Sequence, residues 1–460
     1  MEIIICDVLI SGGTIITQNS TRAIIQNGSI SIKGSEIIDI GNKEDVDFKY
    51  SARKMIDARG KYIFPGLINT HTHLFQTFIK GLGEGLSLYQ WVDGIAAPSA
   101  FGMSERQAYL STILGGMEAI HCGTTTLLDF MYSMPHSRLH RQVGNGLRDI
   151  GLRGVLGLGL MENGEEHGLS PCQFRPVTEA LAEWHEIMEE YKGGNLSFAL
   201  APEIPFGISP NSFRAIREFA NKHGILITIH INETLDDDKV NLKDYQKRAV
   251  PFLEELGFWG EDVIGVHCVK MQPEDIEIFV KNDVKISHNP VSNMYLGVGV
   301  APIMDLKQSG LTISLGTDGA GSNNSQDMLE VMKSTGLLHK VHHQNPAVMN
   351  AQTILDMATL GGAKALGQAD RIGSLEVNKQ ADLFIFDPFK PKSAPVFDPV
   401  SSLVFSSGPE NVSTTIVAGN ILMEERKIIG FDELEILQEC QESAWELAKR
   451  VGYIPNFLKL

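Results

Sequence analysis

The sequence predicts an α/β fold: a (β/α)8 barrel of the TIM type with a small β-sandwich domain formed by both chain ends. Three observations carry this. Between residues 62 and 375, short apolar runs alternate with longer amphipathic segments, the pattern of β/α units around a parallel sheet. Residues 1–61 read instead as short strands between turn glycines. A similar strand pattern returns in residues 376–430, so the two ends are expected to combine, with the barrel inserted between them and a closing helix in residues 431–460.

Taken in order, the first strands are Val8-Leu9-Ile10, Thr14 to Thr17, Gly28 to Ile32 and Ile37 to Gly41, a spacing that suggests a small antiparallel sheet. The barrel strands are expected at Ile63 to Ile68, Thr124 to Phe130, Gly154 to Leu160, Leu196 to Ala201, Leu226 to Ile231, Val263 to Val269, Val284 to Ser287 and Leu311 to Leu315. Helices fall between them, among them Ser104 to His121 and Ser212 to His223. Ala381 to Asp387 and Thr414 to Leu422 return to the end domain, and Asp432 to Val451 reads as the last helix.

A chain of 460 residues with 43% hydrophobic and 21% charged residues has the composition of a soluble globular protein. Its formal net charge of −17 argues against a nucleic-acid partner, which needs a basic footprint. The cysteines, Cys6, Cys122, Cys172, Cys268 and Cys440, are scattered and form no Cys-x-x-Cys, which fits reduced thiols and a cytoplasmic location. The N-terminal stretch lacks a basic region and a long apolar run, so no signal peptide is expected, and no stretch is apolar enough to enter a membrane.

In this fold the chemistry belongs at the C-terminal ends of the strands, and metal-type residues fall there. The first run leads into His71 and His73, whose i, i+2 spacing on a strand points both imidazoles the same way. The fifth ends in His230, with Glu233 beyond it; the sixth contains His267; the seventh is followed by His288-Asn289; the eighth leads into Asp318. His71, His73, His230 and Asp318 make an N/O ligand set for one divalent ion, Zn²⁺ or Fe²⁺, with a position left for water. Such an ion lowers the pKa of water toward neutrality. Asp318 is then expected to take the water's proton, Glu233 to act as the acid, and His267 to stabilise developing charge. His136, His140, His342 and His343 read as solvent-facing or helix-surface residues.

The motifs PGLINTHTHL (65–74), GLGEGLSLYQW (81–91), CGTTT (122–126), HINE (230–233), SHNPVSNMYLGVGVAP (287–302), GTDGAGSNNSQDMLEVM (316–332) and GSLEVNKQADLFIFD (373–387) resemble the amidohydrolase superfamily over nearly the whole chain. Within it, the chain is most similar to the aminohydrolase branch of S-adenosylhomocysteine/methylthioadenosine deaminases, guanine and 8-oxoguanine deaminases and s-triazine hydrolases. The resemblance implies a single divalent metal, Zn²⁺ first and Fe²⁺ second, and hydrolytic deamination of an aromatic N-heterocycle (a purine-like base or nucleoside, a pterin or similar), with Glu233 donating to a ring nitrogen. Ala201-Pro202-Glu203 carries no lysine, so two-metal members with a carboxylated lysine are not the model. Gln76, Glu84, Glu203, His288 and Asn289 are the substrate-binding candidates; Glu84 resembles a ribose contact, whereas Gln76 and Glu203 favour a donor-rich heterocycle. The alternatives are an s-triazine chlorohydrolase or N-dealkylating hydrolase and, more remotely, a non-catalytic scaffold on the same fold. A homodimer or larger homo-oligomer is also implied.

Overall fold

The computed structural model describes residues 3–134 and 137–453; His136 lies outside them. Eight parallel strands form the barrel: β1 Leu67–Thr72, β2 Thr124–Met131, β3 Arg153–Leu160, β4 Leu196–Pro202, β5 Leu226–Ile231, β6 Val263–His267, β7 Lys285–His288 and β8 Ile313–Leu315. Each pairs with its neighbour in chain order. The first and last meet through Asp318 N donating to His71 O at 3.0 Å and Thr70 Oγ1 donating to Leu315 O at 3.0 Å. Alternation builds both layers: Ile227, Ile229 and Ile231 of β5 pack among helical residues such as Phe213 and Ile216, which leaves His230 on the other face.

The first barrel strand starts later than the apolar run suggests. Tyr62–Pro65 is a strand of the other domain, and the chain passes to β1 at Gly66. A Cβ at Gly66 would stand 2.0 Å from Thr125 Oγ1, so the crossing between domains needs a residue without one. The run is continuous in hydrophobicity because both strands are buried, so composition alone does not show the break.

The chain ends do combine, into one hydrogen-bonded network of nine strands. Tyr62–Pro65 joins the halves, parallel to Ile4–Ile16 and antiparallel to Leu383–Phe386. The sheet is mixed, where an antiparallel one was expected. The unforeseen helix Lys43–Lys49 is a crossover that brings Tyr50–Asp57 back parallel to the first strand. Arg153, at the start of β3, locks barrel to sheet with a two-pronged ion pair to Asp382, Nε–Oδ2 2.7 Å and Nη2–Oδ1 3.1 Å, both side chains almost fully buried. The closing helix, Glu433–Arg450, is capped by Asp432 and packs on Glu105–His121, where Gln107 Nε2 donates to Ser443 O at 2.8 Å. Among the described residues no helix is long and apolar enough to cross a membrane.

Candidate active site

Four loops at the C-terminal end of the barrel bring the chemistry together. The ligand atoms of His71, His73 and His230 lie within 4.8 Å of one another, and those of His71, His267 and Asp318 likewise. His71 Nε2 and His73 Nε2 each lie 3.3 Å from Asp318 Oδ1. Two of the imidazoles are oriented by backbone carbonyls: His73 Nδ1 bonds Phe130 O, and His230 Nδ1 bonds Glu203 O at 2.8 Å. A carbonyl can only accept, so Nδ1 carries the proton and Nε2 turns its lone pair to the cluster. His71 has no hydrogen-bond partner on either ring nitrogen. Burial lowers its pKa to about 3 and takes that of His230 well below the usual value, leaving neutral imidazoles. For His73, burial pulls the same way, but the neighbouring Asp318 carboxylate outweighs it and raises the pKa.

Asp318 follows β8 in a left-handed backbone conformation, φ 60°. Its carboxylate is fixed by three donors: Gly319 N to Oδ1 at 2.8 Å, and Ser292 Oγ and Ser322 Oγ to Oδ2 at 2.6 and 3.1 Å. Burial acts to raise its pKa, yet the neighbouring imidazoles of His71 and His73 prevail and hold it well below the carboxylate range.

A cavity of about 750 Å³, counting its open mouth, rises above this cluster. Glu233 lines it, 8% exposed, with Oε1 free of hydrogen bonds and Oε2 3.7 Å from His267 Nε2. Burial raises its pKa, which suits a carboxylic acid that must give up a proton. His267 Nδ1 donates to Asn293 Oδ1 at 2.9 Å, which aims Nε2 at Glu233. Glu203, also in the wall, is pushed up to about 8 by burial, against the opposing Ser133 backbone N–H. Gln76 is fully buried in the wall, and both its amide atoms lack a hydrogen-bond partner. Gly319 makes room for it: a Cβ there would stand 1.8 Å from Gln76 Oε1.

The structure thus gathers His71, His73, His230, His267, Asp318, Glu233, Gln76 and Glu203. It does not bring Glu84, His288 or Asn289 to the cavity. Glu84 is exposed in a turn whose Gly81, Gly83 and Gly85 all have positive φ; the chain re-enters the wall at Leu88–Trp91, where Tyr89 lines the cavity. His288 is on the outward face of β7, with Nε2 3.1 Å from Nε2 of buried His339 on the helix Met328–His342. Asn289 lies behind His267, its Nδ2 3.5 Å from the ring Nδ1. His140, expected at a surface, is buried against Trp184. His342 and His343 are exposed. Sequence reasoning passed over Tyr132, Gln173 and Asp237 in the wall, and Ser292, Asn293 and Ser322 behind the cluster. The last three stand inside motifs already noted, SHNPVSNM and GTDGAGSNN, which was an available signal.

Comparison with known proteins gives a consistent picture. The model of the amidohydrolase family matches residues 62–422. A 5'-deoxyadenosine deaminase from Methanosarcina mazei is 35% identical over 450 residues, covering 97% of this chain and 99% of the relative. A 5-methylthioadenosine/S-adenosylhomocysteine deaminase from Thermococcus sibiricus is 37% identical over 416 residues, 90% of this chain and 94% of the relative. The crystal structure of an adenosine deaminase from Xanthomonas campestris with bound zinc superposes with a TM-score of 0.91 at 24% identity, covering 97% of this chain and all of that one, which establishes the shared fold.

Proposed function

The chain belongs to the amidohydrolase family, and from that membership we propose that its cavity is the site of a metal-dependent hydrolytic deamination, the removal of ammonia from a purine-like N-heterocycle. One observation carries the reading: buried Glu233, with a raised pKa and an unbonded oxygen, faces the same cavity as a cluster of imidazoles and a carboxylate.

The residues present fit a metal. Three ring nitrogens converge within 4.8 Å of one another, and both nitrogens of His71 are buried without a partner, an arrangement that is costly unless a cation is bound. His71, His73, His230 and Asp318 would hold one divalent ion. Zinc is the ion we assign, in keeping with the zinc bound by the similar adenosine deaminase. When bound, the ion supplies a Lewis acid that makes water at this site acidic near neutral pH.

The remaining work falls to side chains. Asp318, held by Ser292 and Ser322, accepts the proton of the attacking water at a carboxylate oxygen. Glu233 delivers its proton to the ring nitrogen beside the attacked carbon, so the ring takes up the electron pair as a neutral N–H. His267, whose Nε2 is 3.7 Å from Glu233 Oε2, stabilises charge developing on the incoming oxygen. A second proton, returned from Asp318, converts the amino group to ammonia as the tetrahedral carbon collapses, and the hydroxyl proton released as the C=O bond forms passes to the Glu233 carboxylate and restores the acid. Gln76, with both amide atoms unpartnered, and Glu203 beside it offer the ring donors and acceptors. Chloride leaves a triazine without needing a proton, whereas loss of ammonia needs protons at both the ring nitrogen and the amino group; Glu233 and Asp318 are the pair that supplies them, and deamination is the preferred reading on that ground. The five free cysteines fit a reducing compartment, and we assign the protein to the cytoplasm.

The test is ammonia release by zinc-loaded protein from adenine, adenosine, 5'-deoxyadenosine, guanine, 8-oxoguanine, pterins, cytosine and aminotriazines. At least one is turned over, and His230→Ala abolishes the activity; silence across the panel would refute the proposal.

A further inference from the structure

A second group of metal-type side chains stands at the same end of the barrel, outside the catalytic cavity. Glu166, His167 and Asp244 each offer a ligand atom, and these atoms lie within 4.8 Å of one another. Glu166 and His167 belong to the single turn Glu165–His167 in the loop after β3, and Asp244 to the helix Asp236–Tyr245 after β5. His167 Nε2 is 2.7 Å from Asp244 Oδ2 and 3.7 Å from Glu166 Oε1. Ligands of a tetrahedral ion with bonds of about 2.0 Å stand roughly 3.3 Å apart, so these two distances bracket the spacing that an ion needs. The catalytic cluster shows that spacing directly, with Asp318 Oδ1 3.3 Å from both His71 Nε2 and His73 Nε2.

Three further observations point to a cation. The His167 side chain is 6% exposed and its ring meets that of Phe206 edge-on at 5.7 Å, so Nε2 is held toward the carboxylates and does not turn to solvent. Among the described residues no lysine or arginine pairs with Glu166 or Asp244. A protonated imidazole offsets one of their two negative charges, whereas a divalent ion offsets both and leaves the ring neutral. The uncompensated field is felt by Tyr245, whose pKa is raised by burial and then by Asp244, Glu166 and Glu162. Lastly, Asp244 stands in the last turn of its helix, where the dipole disfavours a carboxylate and favours a cation.

We propose that Glu166, His167 and Asp244 form a second divalent-cation site, suited by its one nitrogen and two carboxylates to zinc, and weaker than the catalytic centre because Glu166 is 67% exposed. The ion ties the loop after β3 to the helix after β5. These segments carry Gln173 and Asp237 of the cavity wall, and Leu169 and Val240 already join them in one apolar cluster with Met161 and Phe206. Zinc beyond the catalytic equivalent therefore stiffens the wall without entering the cavity. The site holds its ion whether or not the cavity deaminates a heterocycle.

Metal titration tests it. Untagged full-length protein dialysed to one bound equivalent is titrated with zinc chloride alone, and uptake is followed by calorimetry and metal analysis. A second equivalent binds, and His167→Ala and Asp244→Asn each weaken it by about tenfold or more, no less than the loss of a group behind a ligand. Asp244→Asn is nearly isosteric and keeps the test valid should the His167→Ala protein fold poorly. His342→Ala and His343→Ala, at exposed positions elsewhere, leave the second equivalent as in the parent. Hydrogen exchange in residues 164–173 and 236–245 slows as that equivalent binds to the parent, and does not slow in His167→Ala. Uptake that stops at one equivalent, a second equivalent unchanged in both His167→Ala and Asp244→Asn, its loss on replacing His342 or His343 instead, or exchange in the two segments indifferent to zinc would each overturn the site. Ammonia release is not read, so the outcome stands apart from the deaminase reading.

Discussion

Replacing Ser292 by alanine probes how the protein holds Asp318. The carboxylate is buried and takes only three hydrogen bonds, of which the one from Ser292 Oγ, at 2.6 Å, is the shortest. A hydrogen bond to a charged group contributes about 1.5–3 kcal/mol. Removing it leaves Oδ2 with the longer 3.1 Å contact from Ser322. Expressed wholly in metal binding, the loss weakens affinity by roughly 10- to 150-fold, in line with what partners of metal ligands contribute elsewhere. Chelator competition measures that affinity directly. Ser322→Ala should cost less, Ser292→Thr should keep most of the affinity because it keeps the hydroxyl, and the double alanine variant should exceed either single one. A Ser292→Ala protein with zinc affinity and kcat/KM within about twofold of the parent would show that the Ser292 hydroxyl does not hold Asp318 in place.

Other perturbations bear on the scaffold and the wall. Arg153→Met strands the Asp382 carboxylate in the contact between barrel and sheet, and should lower stability by about 3–5 kcal/mol in denaturant unfolding; adding Asp382→Asn should recover part of it. Gly319→Ala places a Cβ where Gln76 now lies and should lower kcat/KM by about tenfold or more while zinc stoichiometry stays at one. Glu183 supplies a pH dependence: burial opposes, but Arg175, Ser137 and Arg141 outweigh it and depress its pKa to about 2 from the ordinary 4.5. Its stabilisation is therefore fully present above about pH 4.5 and is lost as the pH falls toward 2; after discounting for solvent screening it amounts to about 1–2 kcal/mol. Glu183→Gln should remove that part of the acid sensitivity in thermal unfolding between pH 5 and 2.

What the sequence disclosed follows the kind of signal each residue leaves. His71, His73, His230 and Asp318 were legible because strand ends can be counted, and a barrel turns a count into a shared face. The helix at Glu105–His121 and the closing helix at Glu433–Arg450 were legible as segments, and the structure caps them with Ser104 and Asp432. The break at Gly66 was not, because it lies inside an apolar run, and what requires it is Thr125, distant in sequence. Glu84 was drawn to the site by its register in a motif, but three positive-φ glycines carry it to solvent and return the chain with Tyr89 in the wall. His288 and His339 bury each other through a contact 51 residues apart that no local pattern announces. Gln173 belongs to a loop with no motif at all, and only the folded wall reveals that its amide is left unmet.

The account's central claim is that Glu233 moves the proton that lets ammonia leave a heterocycle held over a metal. The most direct measurement is ammonia release, on the best substrate of the panel, by Glu233→Gln protein whose zinc content has been determined. The account predicts zinc bound as in the parent, because Glu233 is not a ligand, and kcat lower by about 10²- to 10⁴-fold. Release at the parental rate from zinc-loaded Glu233→Gln protein, or from the unaltered protein after complete removal of metal, would contradict it.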